Sequence, residues 1–257
     1  MIVTGLIGYP LHHTRSPQIH NAAFKHLGLR GIYLPLPTPV EHLAGVVRDL
    51  RRRKFRGVNV TIPYKEAVLD HLDEIVPEAK SIRAVNTILV RNNRLCGYNT
   101  DLDGFQAALT EKKLDVRGRS VLLVGAGGAG RACAKVLADQ GADRLFVMDN
   151  DLVRARACAL SVKADAVHPD RMPGLLADGV KIVVNATPQD FQRTVYARMK
   201  SGGVYIDLNY CYPFLKRSGI SFYNGLLMLV HQAARSFYLW TRRTAPLAVM
   251  MQAAERP

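Results

Sequence analysis

Apolar residues fall into two kinds of pattern along the chain, short near-continuous runs and longer stretches with helical spacing. Residues 3–8, 31–36, 57–62 and 86–90 are short runs rich in Val, Ile, Leu and Tyr, and they read as strands. Residues 17–27 and 40–53 read as the intervening helices, the first with Ile19, Ala22, Ala23 and Phe24 on one side. Asn92 and Asn93 form a turn signal, and residues 94–98 supply the return strand of a hairpin. Alternation of strands and helices predicts an α/β fold with a mainly parallel sheet covered on both faces.

A second unit starts near Val116. Its strands are expected at 121–124, 144–148, 181–185 and 204–208, each apolar and each ended by polar residues. An Ala-rich helix is expected at 131–140 and another at 226–239, followed by a tail without clear structure after Pro246. The organisation expected is one domain from residues 1–100 plus 226–257 and another from 101–225, facing each other across a cleft.

Between the strand at 121–124 and its helix stand Gly125, Ala126, Gly127, Gly128, Ala129 and Gly130, a G-x-G-x-x-G motif. The first glycine permits a tight turn, the second lets backbone approach a pyrophosphate, and the third lets helix and strand pack closely. The helix N-terminus adds N–H groups facing the phosphate charge. Asp149 ends the next strand near the spacing at which an acidic residue meets the adenosine ribose. The second unit is therefore expected to be a Rossmann domain for NAD or NADP. Asp149, Asn150 and Asp151 favour NAD, because two carboxylates bond ribose hydroxyls but repel a 2′-phosphate. Arg154 is the one basic residue placed to clamp that phosphate.

Composition narrows the class. Of 257 residues, 48% are apolar and 22% charged, as in a soluble globular protein. No apolar stretch is long enough to span a bilayer, and the start from Met1 to Gly5 lacks a signal-peptide pattern, so a cytoplasmic location is expected. Cys96, Cys133, Cys158 and Cys211 are scattered and read as reduced thiols; no metal-ligand spacing is visible. The net charge of +14 gathers at Arg51, Arg52, Arg53, Lys54 and Arg56, and at Arg242 and Arg243. A solvated helix end and tail account for it, and an anion-attracting field is the sharper alternative. Few aromatics lie among the basic residues, so nucleic acid is the lesser alternative as a partner.

The segment from Gly57 to Lys65 carries further chemistry. Alternation places Asn59 and Thr61 on one face of a strand that stops at Pro63, with Lys65 just beyond. Here the chain resembles the shikimate dehydrogenase family, in which such a segment supplies the catalytic lysine. The resemblance runs through nearly the whole chain in order. Thr14 and Ser16 match hydroxyls that receive a substrate carboxylate, and the residue-level alternative for Ser16 is a helix cap with Pro17 following. Asn86 and Gln232 match groups reaching substrate hydroxyls, as do Asn59, Thr61 and Tyr210. Asp101 matches the catalytic aspartate, its alternative being an N-cap. Thr187, Gly225 and Met228 match the nicotinamide side of the cofactor site. His231 points elsewhere on its helix and is read as structural.

The resemblance implies reversible NAD(P)-dependent reduction of 3-dehydroshikimate to shikimate, with Lys65 and Asp101 in acid–base roles, by a monomer or homodimer without a membrane partner. Two departures stand out. Thr14 replaces the family's usual serine and leaves quinate as a competing substrate. Pro188, Gln189, Asp190 and Phe191 replace its usual Ser-x-Gly-Met near the cofactor. A catabolic quinate/shikimate dehydrogenase, and a ligand sensor with a basic nucleic-acid-binding surface, are the alternatives.

Overall fold

The computed structural model describes residues 1–12, 14–210 and 213–256. The chain divides into two compact units, Met1–Gly104 with Leu229–Pro257, and Phe105–Met228.

The first unit opens with β1 (Ile2–Gly8), α1 (Ser16–His26), β2 (Gly31–Pro37), α2 (Leu43–Arg52) and β3 (Gly57–Val60). β4 (Glu74–Ile75), α3 (Pro77–Ser81), β5 (Thr87–Arg91) and β6 (Arg94–Tyr98) follow, and α4 (Thr100–Glu111) begins in this unit and ends in the second. The helix expected over 40–53 begins with a 3-10 turn, Val40–His42, a tightening common at helix starts. The strand expected to reach residue 62 ends at Val60, because the chain turns there: Tyr64 N–H donates to the Thr61 carbonyl and Pro63 has no N–H for a ladder. Asn92 and Asn93 take φ of 50° and 59°, the left-handed pair that a two-residue hairpin between β5 and β6 requires.

Strand order is β2-β1-β3-β5-β6-β4. β1 runs parallel to β2 and β3, whereas β5 runs antiparallel to both β3 and β6. The ends of β1, β3 and β6 and the start of β5 consequently lie along one edge of the sheet. Val58, Val60, Ile88 and Leu95 pack with Val47 and Leu50 of α2 in one buried cluster. The basic run is partly engaged: Arg51 pairs with Asp73 at 2.7 Å, and Arg56 Nε donates to the Trp240 carbonyl. A hydrogen bond from Leu95 N–H, followed by the Arg51 guanidinium, holds the Asp73 carboxyl below its usual range.

The second unit contains β7 (Ser120–Val124), α5 (Gly128–Asp139), β8 (Arg144–Met148), α6 (Leu152–Ser161), β9 (Asp165–Val167) and α7 (Met172–Asp178). It continues through β10 (Ile182–Asn185), α8 (Gln192–Arg198), β11 (Gly203–Asp207) and β12 (Ile220–Asn224). All six strands are parallel, in the order β12-β11-β10-β7-β8-β9. The order reverses between β7 and β10, and ligands bind open parallel sheets beyond the strand ends at such a reversal. Residues of β7, β10 and β11 are buried on both faces, which explains their continuous apolar runs.

The chain then forms α9 (Leu226–Thr241) and α10 (Leu247–Glu255). The tail expected to be unstructured after Pro246 is thus a helix. It buries Met250, Ala253 and Ala254 and packs on α1, a tertiary contact that its short, weakly polar sequence did not announce. Trp240 donates its indole N–H to the Ile88 carbonyl at 3.1 Å. Gly57 makes this approach feasible, since a Cβ there would lie 2.2 Å from the indole nitrogen. Cys96, Cys133 and Cys158 are buried, and burial pushes Cys158 up to about 11. Cys211 lies outside the described residues.

His20 of α1 is wholly buried, stacked on Tyr33 with ring centroids 4.3 Å apart and 5.2 Å from the Trp240 ring. Burial lowers its pKa from 6.5 to about 3, against a small opposing effect of the Asn59 amide. An unfolded chain takes up this proton as pH falls through 6.5, and the folded chain only near 3. Stability therefore falls as pH falls between those values, by up to about 1.4 kcal/mol per pH unit from this residue. Urea titrations from pH 7 to 4.5 are expected to show that slope, and His20→Phe to flatten it. An identical slope in the variant would assign the acid sensitivity elsewhere.

Candidate functional site

Sheet topology brings three distant residues together at one edge of the first unit. Lys65 follows β3, Asn86 precedes β5, and Asp101 stands in the first turn of α4 just after β6. Lys65 is anchored by its carbonyl, which accepts from Val85 N–H at 2.8 Å. Its Nζ lies 2.6 Å from Asp101 Oδ2, with the two side chains only 15% and 7% exposed. A charge-assisted hydrogen bond in so dry a place is strong and directional. Asp101 does not cap α4. Asn99 does so, its Oδ1 accepting from Asp101 N–H at 3.0 Å, which leaves the Asp101 carboxylate for Lys65 and for Asn86 Nδ2 at 2.9 Å.

Gln232 of α9 reaches the same place. Its Nε2 donates to the Leu229 carbonyl, and its Oε1 stands 3.5 Å from Asn86 Nδ2 and 3.4 Å from Thr100 Oγ1. Thr61 is half-buried with its methyl against Gly8, where a Cβ would approach it to 2.4 Å. Asn59 needs correction as a substrate-facing group. It is 5% exposed; its Oδ1 accepts from the Tyr33 hydroxyl, and its Nδ2 is shared among the Asn86 carbonyl, Thr87 and Ser236. Both ends of that amide are bonded within the protein, because the alternation that gives it a face also turns it towards α9.

Ser16 is the first residue of α1 and makes no capping bond, so the cap alternative does not hold; Arg15 occupies the N-cap position. Thr14 Oγ1 instead accepts from Ser16 N–H at 3.3 Å. Burial pushes the Tyr33 phenol well above its usual value. Arg15 donates to the Ala254 carbonyl, which ties this loop to the last turn of α10. His13 lies outside the described residues.

In the second unit, the glycine loop sits at the end of β7, beside the reversal of strand order. Gly125 takes φ of 102°, and a Cβ there would lie 2.7 Å from the Thr187 methyl. A Cβ on Gly130 would lie 1.9 Å from the Gly125 carbonyl oxygen, whereas one on Gly127 would meet nothing within 4 Å. Gly125 and Gly130 therefore serve packing, and Gly127 leaves open backbone. α5 begins at Gly128 rather than at 131, so Gly128 and Ala129 present first-turn N–H groups. Asp149 Oδ2 accepts from Ala126 N–H at 2.8 Å and its Oδ1 from Asp151 N–H at 2.9 Å. Asp151 caps α6 through Val153 and Arg154 N–H; Asn150 and Arg154 are exposed.

The loop after β10 is braced by a buried network. Thr187 donates to Asn185 Oδ1 at 2.8 Å, and Asn185 Nδ2 reaches Gln189 O and Asp207 Oδ2. Gly225 lies against the end of β11, where a Cβ would come within 2.0 Å of the Leu208 carbonyl. Met228 is buried, and Tyr210 is half-buried beyond β11, in a different unit from Lys65 and Asp101.

Three family models match this chain: the shikimate dehydrogenase substrate binding domain over residues 6–88, shikimate / quinate 5-dehydrogenase over 108–201, and the shikimate 5′-dehydrogenase C-terminal domain over 225–255. The shikimate dehydrogenase (NADP(+)) of Carboxydothermus hydrogenoformans is 40% identical, with 98% of this chain and 95% of that protein covered. The chain belongs to the shikimate dehydrogenase family. Among solved structures, shikimate 5-dehydrogenase from Thermus thermophilus, in complex with NADP(H) and shikimate, has a TM-score of 0.87 at 37% identity, covering 100% of this chain and 99% of that one. Quinate dehydrogenase from Corynebacterium glutamicum in complex with NAD has a TM-score of 0.88 at 29% identity, covering 98% of each chain.

Within this shikimate dehydrogenase fold, the departure at 188–191 has a local cause. Asp190 accepts from Gln192 N–H at the start of α8, and Phe191 packs on the apolar cluster beneath it. The sequence reading missed Tyr33, Thr87, Asn99 and Ser236 as parts of the polar site. Ser236 stands one helical turn beyond Gln232, the one periodic signal that could have found it.

The glycines separate packing from openness experimentally. Gly130→Ala is expected to lose about 3 kcal/mol through overpacking, despite alanine's better helix propensity. Gly127→Ala is expected to stay within about 0.5 kcal/mol of the parent. Urea denaturation of both variants measures this, and equal losses would refute the open backbone at Gly127.

Proposed function

We propose that the chain interconverts 3-dehydroshikimate and shikimate with a nicotinamide dinucleotide, the first unit binding the ring acid and the second the cofactor. The buried Lys65–Asp101 pair, joined by Asn86 at the same sheet edge, carries this reading. The names of the relatives agree with it.

Reducing a ring ketone places a proton on the carbonyl oxygen. The Lys65 ammonium stabilises charge developing there and supplies that proton. Asp101 orients the ammonium through its 2.6 Å hydrogen bond. Thr14 and Ser16 receive the carboxylate, while Thr61, Asn86 and Gln232 position the ring hydroxyls; Asn59 supports them from behind. The nicotinamide, when bound, supplies the hydride. Gly125, Ala126, Gly127, Gly128, Ala129 and Gly130 would hold its pyrophosphate, and Thr187, Gly225 and Met228 its nicotinamide half. Lys65→Ala is expected to lower kcat about a thousandfold while leaving dinucleotide affinity nearly unchanged. Initial rates and fluorescence titration measure the two effects. Near-parental turnover would remove Lys65 from the chemistry.

The preferred dinucleotide in this reading is NAD. Asp149 and Asp151 set two negative charges just after β8, which disfavours a 2′-phosphate there, and Arg154 is exposed nearby. The relatives named for NADP(+) make Arg154 the competing determinant. Like-charge repulsion predicts kcat/KM for NAD about tenfold above that for NADP. A tenfold advantage for NADP would show that Arg154 outweighs the acidic pair. Running the same assay with quinate tests the methyl that Thr14 adds beside the carboxylate; faster turnover of quinate than of shikimate would reassign the substrate.

A further inference from the structure

The Asn86 carboxamide is held at both ends. Its Oδ1 accepts from Thr100 N–H at 2.7 Å, from the Thr87 hydroxyl at 2.9 Å and from the Thr100 hydroxyl at 3.1 Å. A backbone N–H can only donate, so this end of the amide is its oxygen. The nitrogen must then face the Asp101 carboxylate, which can only accept when ionised. With Oδ1 of Asp101 engaged by Asn86, Oδ2 is the oxygen left for Lys65.

Thr87 is the hub of this arrangement. Its hydroxyl accepts from Asn59 Nδ2 at 2.9 Å, lies 2.9 Å from Ser236 Oγ and 3.2 Å from Thr100 Oγ1. Ser236 donates to the Gln232 carbonyl one turn back at 3.0 Å and accepts from Asn59 at 2.9 Å. Thr87, Thr100 and Ser236 all have 0% exposure, so none of them can touch a ligand. Three buried hydroxyls packed this closely share their protons among fixed partners; the Thr100 N–H sets which end of the Asn86 amide is oxygen, and the Thr87 hydroxyl adds a second donor that holds it there.

We propose that Thr87, supported by Ser236, is a positioning residue for the Lys65–Asp101 pair. Its hydroxyl locks the Asn86 amide, and the amide presents a single Asp101 oxygen to the lysine. The turnover readout rests on the shikimate dehydrogenase reading; the geometric one does not. Thr87→Val keeps the volume, removes one donor to Asn86 and strips Asn59 of an acceptor. Thr87→Ser restores the hydroxyl alone.

The test compares wild type, Thr87→Val, Thr87→Ser and Ser236→Ala by initial rates on shikimate and by NMR exchange of the Asn86 side-chain amide protons. Thermal midpoints confirm that each variant is folded. Losing one buried hydrogen bond that orders the site is expected to lower kcat about tenfold in Thr87→Val and less in Ser236→Ala, with KM for the dinucleotide within about twofold. Asn86 amide exchange is expected to quicken in Thr87→Val, and Thr87→Ser to restore both readouts. Parental kcat and exchange in Thr87→Val would overturn the proposal. Equal losses in the Ser and Val variants would also overturn it, since side-chain volume and not the hydroxyl would then be responsible. A wild type that turns over no shikimate would refute the functional reading instead. Exchange alone would then decide: quickened in Val and restored in Ser supports the proposal, and unchanged exchange rejects it.

Discussion

A carboxylate withdrawn from water beside a lysine persists only if its remaining lone pairs are satisfied, because desolvation otherwise outweighs the attraction of the pair. Asp101 meets that condition with Lys65 on one oxygen and Asn86 on the other. The first unit is arranged around this requirement. β5 runs antiparallel to β3 and β6, so the chain passes the same sheet edge three times, after β3, before β5 and after β6. Each passage delivers one member of the group. A purely parallel sheet would have carried the start of β5 to the opposite edge and left Asp101 with half its hydrogen bonds.

Helix α9 closes the arrangement from the side. Trp240 and Ser236 attach it to β3 and β5 through the Ile88 carbonyl, Thr87 and Asn59, and Gln232 is thereby brought to Asn86. The same face stacks His20 on Tyr33, and Tyr33 in turn donates to Asn59. Aromatic packing and polar networking are thus one construction. The rings exclude water from the amides, and the amides give the buried phenol a partner. In the second unit the demands are simpler, since a reversed parallel sheet already places backbone N–H groups at a strand end. There the glycines decide which backbone comes close and which stays open.

Local patterns were read reliably where the physics is local. Apolar runs bounded by turn residues identified β1, β2, β7, β8 and the β5–β6 hairpin, and G-x-G-x-x-G identified the open backbone at Gly127. Reading was weakest where an element depends on its neighbours. α10 has little polarity contrast and is stabilised by α1. β4, with two residues, exists as a strand only through its pairing with β6.

The sequence by itself singled out Lys65, Asn86, Asp101 and Gln232 through the order of segments that resembles the family, four side chains that the structure brings together. It also determined the glycine loop, since backbone freedom belongs to the residue alone. Tertiary structure decided which polar groups stay partly open and which face each other. Asn59 and Thr61 share a strand face in the sequence pattern, yet Asn59 is fully bonded within the protein while Thr61 stays half-buried. Whether an amide meets solvent or a neighbour depends on what packs above it, and α9 lies well over a hundred residues further along the chain.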